Sequence, residues 1–469
     1  MTLPARPAVF ALALLVGACA APALSSPTAI EDPASFAAGA AAMQQRLALA
    51  PNTARAKNVV LMIGDGMGIS TITAARIYAG QKDGKPGEEH VLSLGTLPYS
   101  ALIKTYNTDQ QVSDSAGTAT AMLTGLKTRA GVINTAPSVG RGNCPAALKS
   151  PLTTLARRAI SSGRAAGVVT TARLTHATPA AMYAVSPDRN WESNKTTPSA
   201  AKAAGCAPIA EQLIDSAHGL TVALGGGRRA FDDDMIARWP GSFAATAAQM
   251  EAATAGPLLG LFAPSHMPYA RETTPSPSLA EMTGKALDML SANKDGFFLM
   301  VEGGRIDHGH HAGRAELALE EAREFDKAVR LVLDRVDMSE TLILVTADHS
   351  HTLTISGYPT RGNDILGAVV QNDETGTPTG APALAGDGLP YTTLGYMNGP
   401  GAKDGVRDPS QAAEGAILRQ PALIPKRSET HSGEDVALLA SGPWAHLVGG
   451  ILEQHVIYHL MVHAMGLED

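Results

Sequence analysis

Carboxylate and imidazole side chains are crowded into residues 302–311, which read Glu-Gly-Gly-Arg-Ile-Asp-His-Gly-His-His. Asp307 and His311 are four residues apart, so one helical turn would place both side chains on the same side. Gathering such charge is costly for a folded protein unless a cation or a partner neutralises it. A solvated polar loop is the plain alternative, but three histidines within four residues are unusual for a loop. The stretch therefore favours a metal site.

The same residue types recur where other apolar runs end. Asp65 follows the run at 58–63, and the pair Asp348-His349 follows the run at 341–346, just as residues 302–311 follow the run at 297–301. Continuous apolar runs are typical of buried parallel strands, and open α/β sheets place their sites beyond the strand ends. His431 is a further candidate. Mixed carboxylate and imidazole ligands suit zinc, whereas oxygen ligands alone suit magnesium.

A segment of small residues supplies a different chemistry. Ser115 precedes small residues at 116–123, and Gly125 ends the segment. Small side chains at the start of a helix leave its N–H groups accessible, which favours anion binding. A helix-capping serine is the structural alternative for Ser115, and one residue can do both.

Alternating patterns predict the elements that must position these residues. Strands are expected at 58–63, 165–171, 220–224, 297–301 and 341–346, and helices at 36–49, 70–79, 152–162, 209–217, 279–290, 314–336 and 449–463. This order predicts an α/β fold with a large, mostly parallel sheet flanked by helices on both faces. Between residues 362 and 426 glycine, proline, threonine and asparagine dominate, which indicates an inserted lobe or a long surface excursion.

Composition limits the class of protein. Of 469 residues 45% are hydrophobic and only 4% aromatic, so the core must be built mainly from Ala, Val, Leu, Ile and Met. The net charge of −7, without a long run of one sign, argues against nucleic acid as a partner.

The N-terminus has the features of an export signal at 1–19. Arg6 precedes an apolar stretch at 8–17 that is too short to span a bilayer. Cys19 ends a sequence similar to a bacterial lipoprotein box, and ordinary cleavage nearby is the alternative. Either route predicts a periplasmic, envelope-anchored or extracellular protein, with residues 20–53 as a tether and an N-terminal helix. Export permits disulfides, so Cys144 and Cys206 are expected to be bridged, with two free buried thiols as the alternative.

Seven motifs, in order along the chain, resemble those of alkaline phosphatases, most closely the animal-type branch. They are residues 58–68, 114–121, 176–179, 189–191, 302–311, 346–349 and 430–435. The resemblance implies the fold of that family, with residues 54–361 and 428–469 as the catalytic domain. It identifies 362–427 as a crown-like insert at the interface of a homodimer, and it implies the Cys144–Cys206 disulfide.

The resemblance also implies two zinc ions and one magnesium ion per chain. One zinc would be held by Asp307, His311 and His431. The second would be held by Asp65, Asp348 and His349, with Ser115. Magnesium would be held by Asp65, Thr178 and Glu302, with His176 beside it and not bound to it. His308 and His310 are expected to orient or pack and not to bind a metal. No calcium site is expected, because Ala263 and Ser276 stand where animal-type relatives carry acids.

By the same resemblance the chain would hydrolyse phosphate monoesters and bind inorganic phosphate. Ser115 would become a phosphoserine, and Arg189 would bind two phosphate oxygens with its planar fork. A phosphodiesterase or a sulfatase of the same superfamily is the alternative. The sulfatase pattern Cys/Ser-x-Pro-x-Arg is missing at Ser115, and diesterases typically lack an equivalent of Arg189. A non-catalytic envelope lipoprotein that binds phosphate or metal is less compatible with this complete set.

Overall fold

The computed structural model describes residues 33–215, 219–272, 275–402 and 419–467. Its contacts separate two compact units, residues 1–50 and residues 51–469. In the first unit, α1 (Pro33–Leu47) overlaps the helix predicted at 36–49. The predicted export signal and its Cys19 lie outside the described residues.

The second unit contains both helices and strands in its described parts. The helices are α2 (Ile69–Lys82), α3 (Ser115–Thr124), α4 (Cys144–Lys149), α5 (Leu155–Ser161), α6 (Ala177–Ala180), α7 (Ser199–Ala203), α8 (Ile209–Ile214), α9 (Asp233–Ala237), α10 (Ala247–Ala252), α11 (Leu279–Leu290), α12 (Arg305–His311), α13 (Ala315–Arg335) and α14 (Val456–Met465). The strands are β1 (Asn58–Gly64), β2 (Tyr99–Lys104), β3 (Ala165–Arg173), β4 (Val222–Gly226), β5 (Ser242–Ala244), β6 (Leu258–Leu261), β7 (Phe297–Gly303), β8 (Thr341–Ala347), β9 (Ser350–His351), β10 (Leu353–Ile355), β11 (Val370–Asn372), β12 (Pro378–Pro382), β13 (Leu394–Gly399), β14 (Ala422–Pro425), β15 (His431–Ser432), β16 (Val436–Ser441) and β17 (Ile451–Glu453). None of the described helices combines the length and apolar character needed to cross a membrane.

Ten strands form one sheet in the order β17-β2-β16-β8-β1-β7-β3-β4-β6-β5. Its antiparallel pairings are those of β16 with β2 and with β8, so β16 alone runs against the others. Every residue of β1, β7 and β8 is buried, because these central strands are covered on both faces. Their β-branched and long aliphatic side chains suit that position. The predicted α/β fold with a mostly parallel sheet is confirmed.

The register of the central strands fixes where they end relative to one another. Gly64 of β1 lies opposite Gly303 of β7 on one side and opposite Ala347 of β8 on the other. The residues that follow these three positions therefore emerge at the same edge of the sheet. This alignment creates the site described below.

The prediction of a helix over 449–463 was wrong at its start. Ile451 and Leu452 belong to β17, which pairs in parallel with Leu102 and Ile103 of β2. The helix begins only at Val456. Sequence periodicity could not separate the two elements, because a strand of three residues is too short to show a period of its own.

Residues 362–427, predicted to be an insert, add no strand to the ten-stranded sheet within the described parts 362–402 and 419–427. There β11 pairs with β12, and β13 lies between β10 and β14. The division into a catalytic domain and a crown-like insert stays a prediction.

Candidate active site

Three neighbouring strands deliver acidic side chains to one place. Asp65 follows β1, Asp348 follows the adjacent β8, and Glu302 lies one residue before the end of β7. All three residues are fully buried. The structure therefore brings together the strand ends that the sequence pattern singled out.

The first group of converging ligand atoms, here called the imidazole cluster, consists of Asp307, His311, His351 and His431. One turn of α12 places Asp307 and His311 side by side, with Asp307 Oδ1 3.2 Å from His311 Nε2. His431 Nε2 lies 3.4 Å from the same oxygen and 3.2 Å from His311 Nε2. Ligand atoms around a tetrahedral zinc are about 3.3 Å apart, given zinc–ligand distances of about 2.0–2.1 Å. These three atoms fit three corners of such a site.

The backbone fixes the tautomers of both imidazoles. His311 Nδ1 donates to the carbonyl oxygen of Glu429 at 2.7 Å, and His431 Nδ1 donates to that of Ser113 at 2.8 Å. Because a carbonyl only accepts, each Nδ1 carries a proton, and Nε2 is the atom that could bind a metal when the ring is neutral. Metal-binding histidines are commonly oriented in this way.

His351 was missed by the sequence analysis, and its role differs from that of its neighbours. Its Nε2 lies 2.8 Å from Asp307 Oδ1, and its Nδ1 contacts the carboxylate of Glu429. Burial lowers the pKa of His351, but Glu429 and Asp307 together raise it to about 10. The ring is therefore a cation that donates to two carboxylates, and it orients Asp307 without offering a lone pair. Its position two residues after His349 was the available signal.

The second group, here called the serine cluster, consists of the predicted nucleophile Ser115 with His349, Asp65 and Asp348. Ser115 Oγ lies 3.0 Å from His349 Nε2, which in turn lies 3.4 Å from Asp65 Oδ1 and 3.3 Å from Asp348 Oδ2. Burial lowers the pKa of His349 well below its usual value, so the ring is neutral. The separations again match the edges of a tetrahedral zinc site. The fold thus brings a histidine to Ser115, although none adjoins it in the sequence.

The third group, the oxygen cluster, consists of Asp65, Thr178 and Glu302. Both carboxylate oxygens of Asp65, the hydroxyl of Thr178 and Glu302 Oε1 are buried and have no hydrogen-bond partner among the described residues. Burial raises the pKa of Glu302 to about 7, and burial with the nearby Asp348 raises that of Asp65. Oxygens left without a donor in this way are suited to a hard cation such as magnesium.

His176 lies close enough to Asp65 and Glu302 to count among the possible ligands. However, Arg189 Nη2 is 3.1 Å from His176 Nε2. A guanidinium only donates, so Nε2 must accept and the proton must be on Nδ1. Neither ring nitrogen then offers a lone pair, which supports the expectation that His176 lies beside magnesium without binding it.

Asp114, which directly precedes Ser115, contacts both the helix that carries Ser115 and the guanidinium of Arg189. Asp114 caps α3 by accepting from the N–H of Gly117 at 3.1 Å, and Ser115 is the first residue of that helix. The same carboxylate accepts from Arg189 Nη1 at 2.9 Å. Burial would raise the pKa of Asp114, but Arg189 and the N–H groups of Gly131 and Gly117 lower it. Asp114 therefore remains charged and holds the guanidinium beside the serine.

The two other histidines of α12 are engaged elsewhere. His310 Nε2 contacts the hydroxyl of Thr71 at 3.0 Å, and its Nδ1 contacts that of Tyr396 at 2.8 Å. The ring of His308 packs 4.0 Å from that of His266 and 5.7 Å from that of His176, measured between centroids. Neither histidine joins the imidazole cluster.

The predicted cysteine pair is bridged. A disulfide joins Cys144 to Cys206, with their Cα atoms 5.9 Å apart. The alternative of two free thiols was wrong.

Comparisons with known proteins agree with this geometry. The family model described as alkaline phosphatase matches residues 56–240 and 242–467. The chain is 42% identical over 449 residues to the tissue-nonspecific alkaline phosphatase of Gallus gallus, covering 87% of this chain and 84% of that protein. The Homo sapiens form is 41% identical over 453 residues, covering 88% and 84%. Among solved structures, alkaline phosphatase from Thermus thermophilus aligns with a TM-score of 0.66 and 26% identity, covering 89% of this chain and 93% of that one. The chain therefore belongs to the alkaline phosphatase family.

Proposed function

We propose that this protein hydrolyses phosphate monoesters through a phosphoserine intermediate on Ser115. One observation carries the proposal: Ser115 Oγ contacts His349 at 3.0 Å, while Arg189 is anchored 2.9 Å from the adjacent Asp114. A nucleophile and a phosphate-binding fork thus lie together beside groups of converging ligand atoms. Membership of the alkaline phosphatase family supports the coarser statement, that the chain is a phosphoric monoester hydrolase.

The three clusters support two zinc ions and one magnesium ion per chain. The proposed ligands are Asp307, His311 and His431 for one zinc, Asp65, Asp348 and His349 with Ser115 for the other, and Asp65, Thr178 and Glu302 for magnesium. Bound there, the zinc ions would act as Lewis acids that lower the pKa of hydroxyl groups and stabilise charge on the attacking and leaving oxygens. The matched separations of the nitrogen and oxygen atoms support the zinc sites, and the unpartnered oxygens support the magnesium site.

Residues of the chain then carry out two displacements. Ser115 Oγ attacks phosphorus, the bond from phosphorus to the alcohol oxygen breaks, and the alcohol leaves with the proton that the serine gives up. Water then attacks the phosphoserine, inorganic phosphate leaves, and Ser115 regains a proton. Arg189 binds two phosphoryl oxygens throughout, and the N–H groups at the start of α3 face the same charge.

Replacement of the nucleophile tests the proposal. With zinc and magnesium supplied, we expect Ser115→Ala to lower turnover of p-nitrophenyl phosphate by about 10³-fold or more. Acid-quenched wild-type protein should carry a phosphoryl group on the Ser115 peptide by mass spectrometry. Ser278→Ala is a matched control, because Ser278 caps α11 and should affect stability only. Retention of most turnover by Ser115→Ala would show that the covalent route is wrong.

Relative rates separate the alternatives within the superfamily. If Arg189 binds two phosphoryl oxygens as proposed, it would take the place of the second ester group of a diester, which favours monoesters. We expect a phosphomonoester to react much faster than a phosphodiester or a sulfate ester, and a chelator to abolish the difference. A faster diester or sulfate ester would favour a phosphodiesterase or a sulfatase.

Export and dimerisation complete the proposal. The Cys144–Cys206 disulfide supports a location outside the cytosol, in the periplasm, in the medium or on the envelope through a lipid on Cys19. We also propose a homodimer with residues 362–427 at its interface, and no calcium site near Ala263 and Ser276. Mass spectrometry of the mature N-terminus and sedimentation of the purified protein test these points.

A further inference from the structure

Arg189 lies in an irregular segment, although a phosphate-binding fork needs a fixed direction. Between α6 and α7 the described chain contains neither helix nor strand around this residue. Its backbone N–H donates to the carbonyl of Gly131 at 2.8 Å. We propose that Asp188 and the Cys144–Cys206 disulfide are positioning elements that hold Arg189 for phosphate binding. The proposal rests on the function proposed above, in which Arg189 binds phosphate.

Asp188, the residue before Arg189, is held by an ion pair with Arg141. Arg141 contacts its carboxylate through two parallel hydrogen bonds, Nε to Oδ2 at 3.1 Å and Nη2 to Oδ1 at 3.0 Å. Arg141 also lies against Gly131, where an added Cβ would come within 2.6 Å of its guanidinium. Gly131 is the residue that accepts from the Arg189 N–H. The planar pair therefore joins the side chain before Arg189 to the backbone that supports Arg189.

Trp191, two residues after Arg189, packs against the disulfide. It forms a small buried core with Cys144, Ala201 and Cys206, separate from the main hydrophobic core. Cys144 follows Arg141 by three residues, so the disulfide also ties down the segment that carries Arg141. A bridge placed in this way limits the movement of both sides of the Arg189 segment.

Glu192 adds a third attachment, to a strand of the main sheet. Its carboxylate accepts from Arg173 at the end of β3, with Nε at 2.8 Å and Nη2 at 2.6 Å. Asp188 and Trp191 are thus attached to the segment 141–144, and Glu192 is attached to β3. Loss of one of these contacts should allow the Arg189 guanidinium to occupy more positions. Small displacements of a binding group at such a site can weaken binding or slow the reaction many-fold. Ser115 would keep its surroundings, so phosphate binding should suffer more than the chemical step.

A double-mutant cycle on the full-length, zinc- and magnesium-loaded protein tests this inference. The readouts are the inhibition constant of inorganic phosphate and the KM and kcat for p-nitrophenyl phosphate. We expect Arg189→Ala to raise the inhibition constant by about 10²-fold and Asp188→Asn to raise it by about 5- to 10-fold, with kcat changed less than about 2-fold in the latter. In the double variant Asp188→Asn should add nothing, because its effect passes through Arg189.

The variants isolate the contact. Asparagine keeps an oxygen that can accept from the backbone N–H of Asn190 but loses the second acceptor for Arg141. Asp334→Asn removes a more exposed carboxylate, which also pairs with an arginine, Arg330, at 2.7 Å, and it should change none of the constants. A Cys144→Ala/Cys206→Ala variant should raise the inhibition constant in the same direction, and this increase should also vanish when Arg189 is alanine.

Each outcome bears on a different statement. If Arg189→Ala leaves phosphate inhibition unchanged, the proposed role of Arg189 in the function is wrong. If Arg189→Ala weakens inhibition but Asp188→Asn does not, the positioning inference is wrong and the function stands. If Asp188→Asn has the same effect with and without Arg189, it acts through general stability and the inference is also overturned. Asp188→Asn gives these answers even if the cysteine variant fails to fold.

Discussion

The imidazole cluster and the oxygen cluster lie at the same edge of the sheet but balance charge in opposite ways. Burial would raise the pKa of Asp307, but His311, His351 and His431 lower it well below its usual value. In the oxygen cluster Arg189 lowers the pKa of Asp65 only in part, so burial and Asp348 still raise it, and burial raises the pKa of Glu302 to about 7. The carboxylate of the first cluster is stabilised by histidines of that cluster, whereas the carboxylates of the second are compensated only in part, by Arg189.

This difference indicates how each cluster is prepared for its ion. In the imidazole cluster, backbone carbonyls and His351 orient the ligand atoms, so the nitrogen geometry is formed by the protein alone. In the oxygen cluster, four buried oxygen atoms have no donor among the described residues. Magnesium keeps several waters and tolerates few substitutes for oxygen, which suits such a place. Loss of the ion should therefore affect the two clusters differently.

Removal of the charge on Asp307 should have the largest effect. Asp307→Asn leaves the His351 cation without one of its two carboxylates and weakens a metal ligand. We expect kcat/KM to fall by about 10³-fold or more and one transition ion per chain to be lost in metal analysis. Asp326→Asn is a buried control, since Asp326 accepts from the N–H groups of Ser93 and Leu94 away from the clusters. Asp326→Asn should lower the stability of the protein and leave its metal content unchanged. Retention of both transition ions by Asp307→Asn would contradict the view that Asp307 is needed for metal binding in the imidazole cluster.

Glu302→Gln should have the next largest effect and should separate the clusters. The amide retains the shape but not the charge, so we expect activity to fall by about 10- to 100-fold and stimulation by added magnesium to disappear. Zinc content should stay unchanged. Equal loss of zinc would mean that the two clusters form a single unit.

The same variant has a defined pH signature in chelator-treated protein. Because the pKa of Glu302 is raised to about 7 in the folded state, that state binds its proton more tightly than the unfolded chain does. Its contribution favours folding at low pH and is lost as pH rises from about 4.5 to 7. Thermal unfolding across that range should show this loss in the wild type, and Glu302→Gln should show a flatter profile.

The sequence indicated the strand-end residues well, for a physical reason. Asp65, Asp348 and Glu302 each adjoin a continuous apolar run, and parallel strands in register must end at one edge. Local patterns were sufficient there. The ligand pair Asp307 and His311 was equally accessible, because one helical turn relates them.

The remaining contacts depend on pairings between distant segments. His351 reaches Asp307 because β9 pairs with β15 in antiparallel register, which sets His351 opposite His431. Glu429 reaches His351 through the same pairing. No periodicity in the sequence encodes a two-residue ladder, so the role of His351 and the contact between His349 and Ser115 became visible only in three dimensions.

Glu429→Gln should have a moderate effect that sharpens the account of the imidazole cluster. The backbone carbonyl that orients His311 remains, and only the carboxylate facing His351 changes. We expect zinc affinity, measured by competition with a chelator, to fall by about 10-fold. Glu321→Gln is a matched control, because Glu321 is also buried but accepts from Ala270 at 2.7 Å, outside the clusters. An unchanged zinc affinity in Glu429→Gln would mean that His351 does not help to orient the metal ligands.

Glu453→Gln should have the smallest effect and shows what a compensated carboxylate does without a metal. Lys127 lies 2.9 Å from Glu453, and Lys104 forms a second ion pair with it. Burial would raise the pKa of Glu453, but the two lysines lower it to about 2. Such a group stabilises the fold above the unfolded pKa of about 4.5, and the stabilisation is lost as pH falls towards 2. Since the Glu453 side chain is only partly buried and solvent screens its ion pairs, we expect the variant to lose only about 0.5 kcal/mol at pH 7. Thermal unfolding should show the same small difference between wild type and Glu453→Gln with and without a chelator. A difference that grows when the metals are removed would mean that these ion pairs are coupled to the clusters.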